Sequence, residues 1–333
     1  MKTQHPTRLR GFTLMELMVA MAITTIIVTV LVSITSIALD TWNRSRSELR
    51  ASRMGKMMVD YMARDLESLV TRRGNSNEWL SAIVDPELSK IGSAGLKSTN
   101  ASRLIFFTAP TDRYDGNAGI STSGKGGDKG GDVCCVAYTL EWKRPVQVGA
   151  SKFRTIVLNR KLVDPLPTFG EGKPGEANYK PLLGVTSFTN SLDSVFIGYY
   201  DLGKISNPAN YTSENIYQFS ITFLVQVTDS SGTTPIVRTV PMVMGSNGIK
   251  SFRVLGTGIV AKDSLGNDYS GPYFDLVPSG RVTAAMISLT VLSDLAVDQI
   301  QEGKREFKDD KAKAEFLAKN SYNFSKLVQL PGM

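Results

Sequence analysis

The chain has 333 residues, of which 42% are hydrophobic and 21% are charged, a composition typical of a globular protein. Its formal net charge of +7 is concentrated near the N-terminus: Lys2, Arg8 and Arg10 supply three charges and Arg44–Arg73, with eight basic and four acidic residues, supplies four. The charges of the remaining residues balance to zero, so the rest of the chain has no basic excess for binding nucleic acid. The only histidine, His5, lies near the N-terminus. The rest of the chain therefore cannot contain a His-based triad or the commonest kind of zinc site.

A long apolar run follows a short basic leader. Leu17–Leu39 is 23 residues without a charge, long enough to cross a bilayer core of about 30 Å as a helix. Positive charge before the run predicts a cytoplasmic N-terminus and export of everything after Asp40. An ordinary secretory signal has an apolar core of roughly 7–15 residues, so this run is too long for one. The alternative is conventional cleavage by a signal peptidase after the small residues of Ser36-Ile37-Ala38.

The residues where leader and apolar run meet resemble a known processing signal. Gly11, Phe12, Thr13, Leu14 and Glu16 resemble the class III signal of type IV pilins and type II secretion pseudopilins. The resemblance implies that a prepilin peptidase cuts after the glycine and N-methylates the new first residue. Gly11 and Phe12 are therefore the expected processing residues.

The same resemblance implies a partner for Glu16. A carboxylate just inside a membrane is costly, so it either snorkels to the headgroups or pairs with a positive charge. In filaments of this family, the glutamate at this position is a counter-charge for the free N-terminal amine of a neighbouring subunit. The resemblance implies the same role for Glu16, with the amine of Phe12 as its partner. Opposite charges attract strongly at low dielectric, whereas either one alone is penalised, so the pair selects subunits in register. Phe12 and Glu16 are the expected assembly residues.

Beyond the apolar run the helix is expected to continue. Asp40–Val70 contains no proline, and four apolar residues recur on one face, predicting packing against a sheet: Met58, Met62, Leu66 and Leu69. Other faces carry arginines that we expect to be solvated or to face neighbouring subunits and lipid headgroups: Arg44, Arg46, Arg50 and Arg53. The segment Met57–Leu69, with Ala63-Arg64-Asp65-Leu66 at its centre, resembles the minor pseudopilin J and PilW-like minor pilins.

After Arg73 the periodicity changes from helix to strand. Phe219–Thr228 alternates apolar and polar residues with only Leu224 off pattern, as a half-buried strand does. Further predicted strands are Arg103–Thr108, Val133–Trp142, Thr155–Leu162, Val195–Tyr200, Ile236–Val243, Phe252–Val260 and Val282–Leu292, with Thr139–Trp142 and Ile156–Leu162 forming a hairpin. The predicted class is α+β, a long N-terminal helix on antiparallel β-sheet. The expected divisions are leader 1–11, transmembrane half-helix 12–39, amphipathic half-helix 40–72, β-rich head 73–300 and charged tail 301–333, with a short surface helix within 301–319.

Several patterns could suggest ligand sites. Gly119–Lys125 starts like a P-loop but lacks the Ser or Thr that should follow the lysine. Gly256–Ala261 resembles a dinucleotide fingerprint but lacks the helix that should follow it. We therefore expect a β-bulge or a strand bend at 256–261. Four aspartates could ring a calcium ion, but their spacing matches no EF-hand and a surface loop is expected: Asp112, Asp115, Asp128 and Asp132. The adjacent Cys134 and Cys135 are expected to be packing residues, not a disulfide or a metal site. No metal or cofactor is expected.

The pattern as a whole predicts an assembly protein, not an enzyme. The expected function is that of a minor pseudopilin in the tip or initiation complex of a type II secretion-type pseudopilus. The alternatives are a PilW-like minor pilin of a type IV pilus and a signal-anchored periplasmic binding module. The expected partners are prepilin peptidase, other minor pseudopilins, the major pseudopilin and inner-membrane lipid, with no nucleic acid or small-molecule substrate. The expected location is the bacterial inner membrane, single-pass, with a periplasmic head.

Overall fold

A computed structural model gives the fold of most of the chain. It describes residues 13–84, 98, 102–109, 133–143, 154–163, 168, 182–183, 192–197, 211–228, 235–243, 248–263, 265–268, 278–301 and 307–331. Two compact units are distinguished, Met1–Leu49 and Arg50–Met333. The four aspartates of the predicted surface loop and the P-loop-like stretch Gly119–Lys125 lie outside the described residues.

The N-terminal element is a long helix, α1, over Leu14–Glu67. In the second unit the predicted core residues Met58, Met62 and Leu66 lie on α1 and are at most 1% exposed, which confirms this part of the apolar stripe. The fourth, Leu69, is 5% exposed but follows the end of the helix. The helix ends at Glu67 because the chain then joins a sheet, as the amide of Val70 donates to the carbonyl of Phe107 at 2.9 Å. The helix is thereby fixed to the sheet at its C-terminal end.

Seven antiparallel strands form the larger sheet of the head. They are β1 Glu78–Val84, β2 Ser102–Thr108, β3 Cys134–Lys143, β4 Thr155–Val163, β5 Tyr211–Glu214, β8 Ile249–Leu255 and β9 Gly258–Asp263, in the order β5-β4-β3-β2-β1-β8-β9. The predicted hairpin is confirmed, with Trp142 opposite Ile156. The smaller sheet contains β6 Ile216–Thr228, β7 Pro235–Pro241, β10 Arg281–Leu292 and β11 Ser321–Gln329, in the order β11-β10-β6-β7.

The main core lies where α1 and both sheets meet. Alternate residues of β6 and β10 face it, among them Phe219, Phe223 and Ile287, all at most 1% exposed. Phe223 stacks on Phe252 of the larger sheet with ring centroids 4.4 Å apart. The α+β prediction, with a helix packed on antiparallel sheets, is confirmed.

A second cluster covers the other face of the larger sheet. It includes Trp79, Phe107 and Cys135, packed with Phe196 of a short helix, α2, over Leu192–Ile197. Both cysteines are buried and unbridged, in agreement with a packing role. The predicted strand Val195–Tyr200 is wrong where the structure describes it, since residues 195–197 are helical. A short apolar run is compatible with a strand or with a helix, and here the helix places Phe196 against the sheet.

Two other expectations need correction. Phe252–Val260 is not one strand, because Gly256 and Thr257 form a tight turn that separates β8 from β9. The glycine pattern at 256–261 is thus a hairpin turn, not a bulge, bend or dinucleotide site. The C-terminal region holds two helices, α3 Asp294–Gln301 and α4 Asp310–Asn320, and then β11. A helix was expected in this tail, but β11, which pairs with β10 over nine residue pairs, was not.

Candidate processing and assembly site

The predicted assembly residue Glu16 lies in the first turn of α1, where it caps its own helix. Its carboxylate accepts hydrogen bonds from the amide and the hydroxyl of Thr13, at 2.9 and 3.0 Å. In return the amide of Glu16 donates to the Thr13 hydroxyl at 3.2 Å. This reciprocal pattern is a capping box, which satisfies backbone amides that have no partner inside the helix. The predicted processing residues Gly11 and Phe12 lie outside the described residues.

The cap leaves the carboxylate able to accept a further donor. A carboxylate offers about four acceptor positions, and Thr13 occupies only part of them. Glu16 and Thr13 are both exposed, so a cation can approach. The positive end of the helix dipole also favours a negative charge in this turn. The sequence reasoning missed this cap, although its signal, Thr followed three residues later by Glu, is present in Thr13-Leu14-Met15-Glu16.

The apolar run that follows contains hydroxyl side chains, and the helix itself provides acceptors for five of them. Each donates to the backbone carbonyl four residues earlier, at 2.7 to 3.0 Å: Thr24, Thr25, Thr29, Ser33 and Thr35. In a bilayer, polar groups must find such internal partners. All the residues from Thr13 to Arg46 are exposed, and the run is long and apolar enough to cross a membrane. These features are consistent with a membrane-anchored protein.

Within the second unit, a buried carboxylate on α1 fixes the helix to the larger sheet. Asp65 receives two hydrogen bonds from Arg160 on β4, at 2.7 and 3.0 Å, and a third from the hydroxyl of Tyr138 on β3. The hydroxyl of Thr108 on β2 donates to the backbone carbonyl of Asp65 at 2.7 Å. Burial, reinforced by the charge of Asp65, raises the pKa of Tyr138 well above its ordinary value. Three neighbouring strands therefore hold one turn of α1.

A second ion-pair network lies nearer the start of this unit. Arg50 contacts Glu214 and also Asp294, the latter at 3.1 Å. Asp294 in turn accepts from the amide of Asn215 at 2.6 Å. Arg50 was grouped by sequence with solvated or partner-facing arginines. The structure agrees that Arg50 is exposed, and it adds that the guanidinium joins α1 to the β5–β6 junction and to α3.

Close packing completes the attachment of the helix. Gly55 faces the ring of Phe324 on β11, and a Cβ at this position would clash with a ring carbon. The neighbouring Asp60 accepts from Lys326 of the same strand at 2.8 Å. No sequence signal marked these contacts, because they join residues more than 260 positions apart.

Comparison with known proteins gives one match. A family model described as the prokaryotic N-terminal methylation motif matches residues 7–32, which include Gly11, Phe12 and Glu16. No curated protein and no solved structure matches the chain. The match covers the leader and part of the apolar run but not the head. The motif implies processing by a prepilin peptidase, so the N-terminal segment is that of a pilin-like or pseudopilin-like substrate.

Proposed function

We propose that this protein is a minor pseudopilin, a non-enzymatic subunit of the tip or initiation complex of a type II secretion-type pseudopilus. One observation carries the proposal: a methylation motif leads directly into α1, and the second part of α1 is fixed to a β-rich head by buried contacts. The helix that follows the motif therefore also contributes its second part to the core of the head. Such a connection suits a filament subunit better than a freely tethered enzyme.

In the proposed assembly step, prepilin peptidase removes residues 1–11 on the cytoplasmic side, and Phe12 gains a free, N-methylated amine. The Glu16 carboxylate of a neighbouring subunit then pairs with this amine inside the membrane. The Thr13 cap supports the proposal because it holds the carboxylate in one place at the helix start. A fixed partner lowers the entropy cost of forming the pair. The proposed partners are the major pseudopilin and the other minor subunits, and the proposed head location is periplasmic.

Substitution at Glu16 tests this step, and the capping box supplies a matched pair of variants. Glu16→Gln removes the charge but keeps a side chain that can cap, whereas Glu16→Val removes both. We expect both variants to be cleaved and inserted, and both to be recovered poorly with the other minor subunits after detergent extraction. Thr13→Ala weakens the cap, by about 1 kcal/mol, but keeps the charge, so recovery should fall much less than in either Glu16 variant.

Assembly of Glu16→Gln like the wild type, with Glu16→Val still defective, would contradict charge pairing at Glu16. That result would show that capping, not charge, matters at this position. Co-purification with pilus subunits in place of secretion subunits would assign the protein to a type IV pilus instead.

A further inference from the structure

A cavity of 160 Å³ opens on the head, where the segment after α1 meets the β8–β9 turn and the start of β10. Its lining includes buried apolar residues, among them Trp79 and Ile259, each 3% exposed. Three arginines also line it, and all three are exposed: Arg72, Arg73 and Arg281. The cavity therefore combines an apolar floor with a cationic rim.

Backbone contacts hold the walls of this cavity in place. The amide of Gly74 donates to the carbonyl of Gly256 at 3.1 Å, and the amide of Gly256 donates to Asn77 at 3.0 Å. On the other side, Gly258 has φ +154°, and a Cβ there would lie 2.5 Å from the carbonyl oxygen of Pro278. Arginines about 200 positions apart are thus brought to one opening by main-chain geometry.

The charged residues that line this opening are all basic. No acidic residue is among the lining residues in the described part of the chain. By contrast, Arg253 on β8 is buried against Glu78, with both guanidinium and carboxylate satisfied. Arg72 and Arg281 are both exposed lining residues, and their positive charges favour an anion at this opening. Arg72 and Arg281 are the two rim groups on which the argument depends.

We propose that this cavity binds the carboxylate side chain of an acidic peptide segment on a partner protein. A guanidinium group can form bidentate hydrogen bonds with a carboxylate. The apolar floor suits the methylene groups that precede a glutamate carboxylate. At about 30 Å³ for each water, the volume equals roughly five waters, which is enough for one carboxylate side chain. That the partner is a neighbouring filament subunit rests on the proposed function; binding of the carboxylate does not.

The test titrates the detergent-solubilised full chain with an acetylated, amidated hexaglutamate peptide, followed by calorimetry and by tryptophan fluorescence. Hexaglutamine and inorganic phosphate are titrated in parallel at matched ionic strength. The variant is Arg72→Gln with Arg281→Gln, and the control is Arg53→Gln with Arg64→Gln, which removes two exposed arginines of α1 outside the cavity. Thermal midpoints establish that both variants are folded.

We expect hexaglutamate to bind the wild type, and the cavity variant to bind at least about tenfold more weakly, as loss of charge-assisted hydrogen bonds implies. The α1 control should stay within about twofold, because screened charges outside the cavity contribute little. Equal weakening in both variants, binding of hexaglutamine at the same strength, or arginine-dependent binding of phosphate alone would overturn the proposal. None of these results depends on filament assembly, so failure here and failure of the Glu16 assay are distinguishable.

Discussion

Replacing Asp65 by alanine is expected to destabilise the head strongly. The side chains of Asp65 and Arg160 are only 6% and 10% exposed, so removal of the carboxylate leaves a guanidinium buried without its partner. Breaking a buried pair in this way costs about 3–5 kcal/mol. For a domain of this size, that loss lowers the midpoint of thermal unfolding by on the order of 10 °C. The change can be followed by fluorescence of the buried Trp79 in the detergent-solubilised full chain.

The same helix provides the control. Asp60 also forms an ion pair, with Lys326, but its side chain is 43% exposed, and exposed pairs contribute only about 0.2–1 kcal/mol. Asp60→Ala should therefore shift the midpoint by no more than about 3 °C. Replacing the whole buried group, with Asp65→Leu, Arg160→Met and Tyr138→Phe together, should restore much of the loss, since no buried charge then lacks a partner. Equally small shifts for Asp65→Ala and Asp60→Ala would refute this reasoning.

Two further predictions concern packing and pH. Gly55→Ala should destabilise the head by about 1–3 kcal/mol in chemical unfolding, because the added Cβ meets Phe324, even though alanine favours a helix. A second change, Phe324→Leu, should recover part of this loss. A Gly55→Ala variant more stable than the wild type would contradict the contact. The pKa of Tyr138 is raised in the folded state, first by burial and then by Asp65, so the stability it contributes is complete below pH 10 and is lost as the pH rises above that value. Tyr138→Phe should flatten the alkaline fall in the free energy of unfolding, and an unchanged alkaline slope would show that Tyr138 titrates normally.

The sequence predicted those parts of the fold that depend on local periodicity. Met58 and Met62 follow the helical repeat, and Phe219–Thr228 in β6 alternates with only Leu224 off pattern, so both were found. β1 was missed because six of its seven residues are buried on a sheet covered on both faces, which removes the alternation. β11 does alternate, with Tyr322, Phe324 and Val328 on one face, but it follows a charged helix and its polar composition resembles a surface tail.

The site was predictable only where its residues are adjacent in sequence. Gly11, Phe12 and Glu16 form one short motif and could be read directly. Asp65 and Arg160 are 95 positions apart, and only the pairing of β2, β3 and β4 brings the guanidinium to the helix. The arginine-lined cavity has the same origin, since Arg72 and Arg281 meet only after the sheets form.

The intact mass and N-terminal residue of the protein purified from membranes test the central claim most directly. We predict a chain that begins at Phe12, carries one methyl group on its amine and lacks residues 1–11. A chain that retains Met1, or one cleaved after Ser36-Ile37-Ala38 so that it begins at Leu39, would contradict the account.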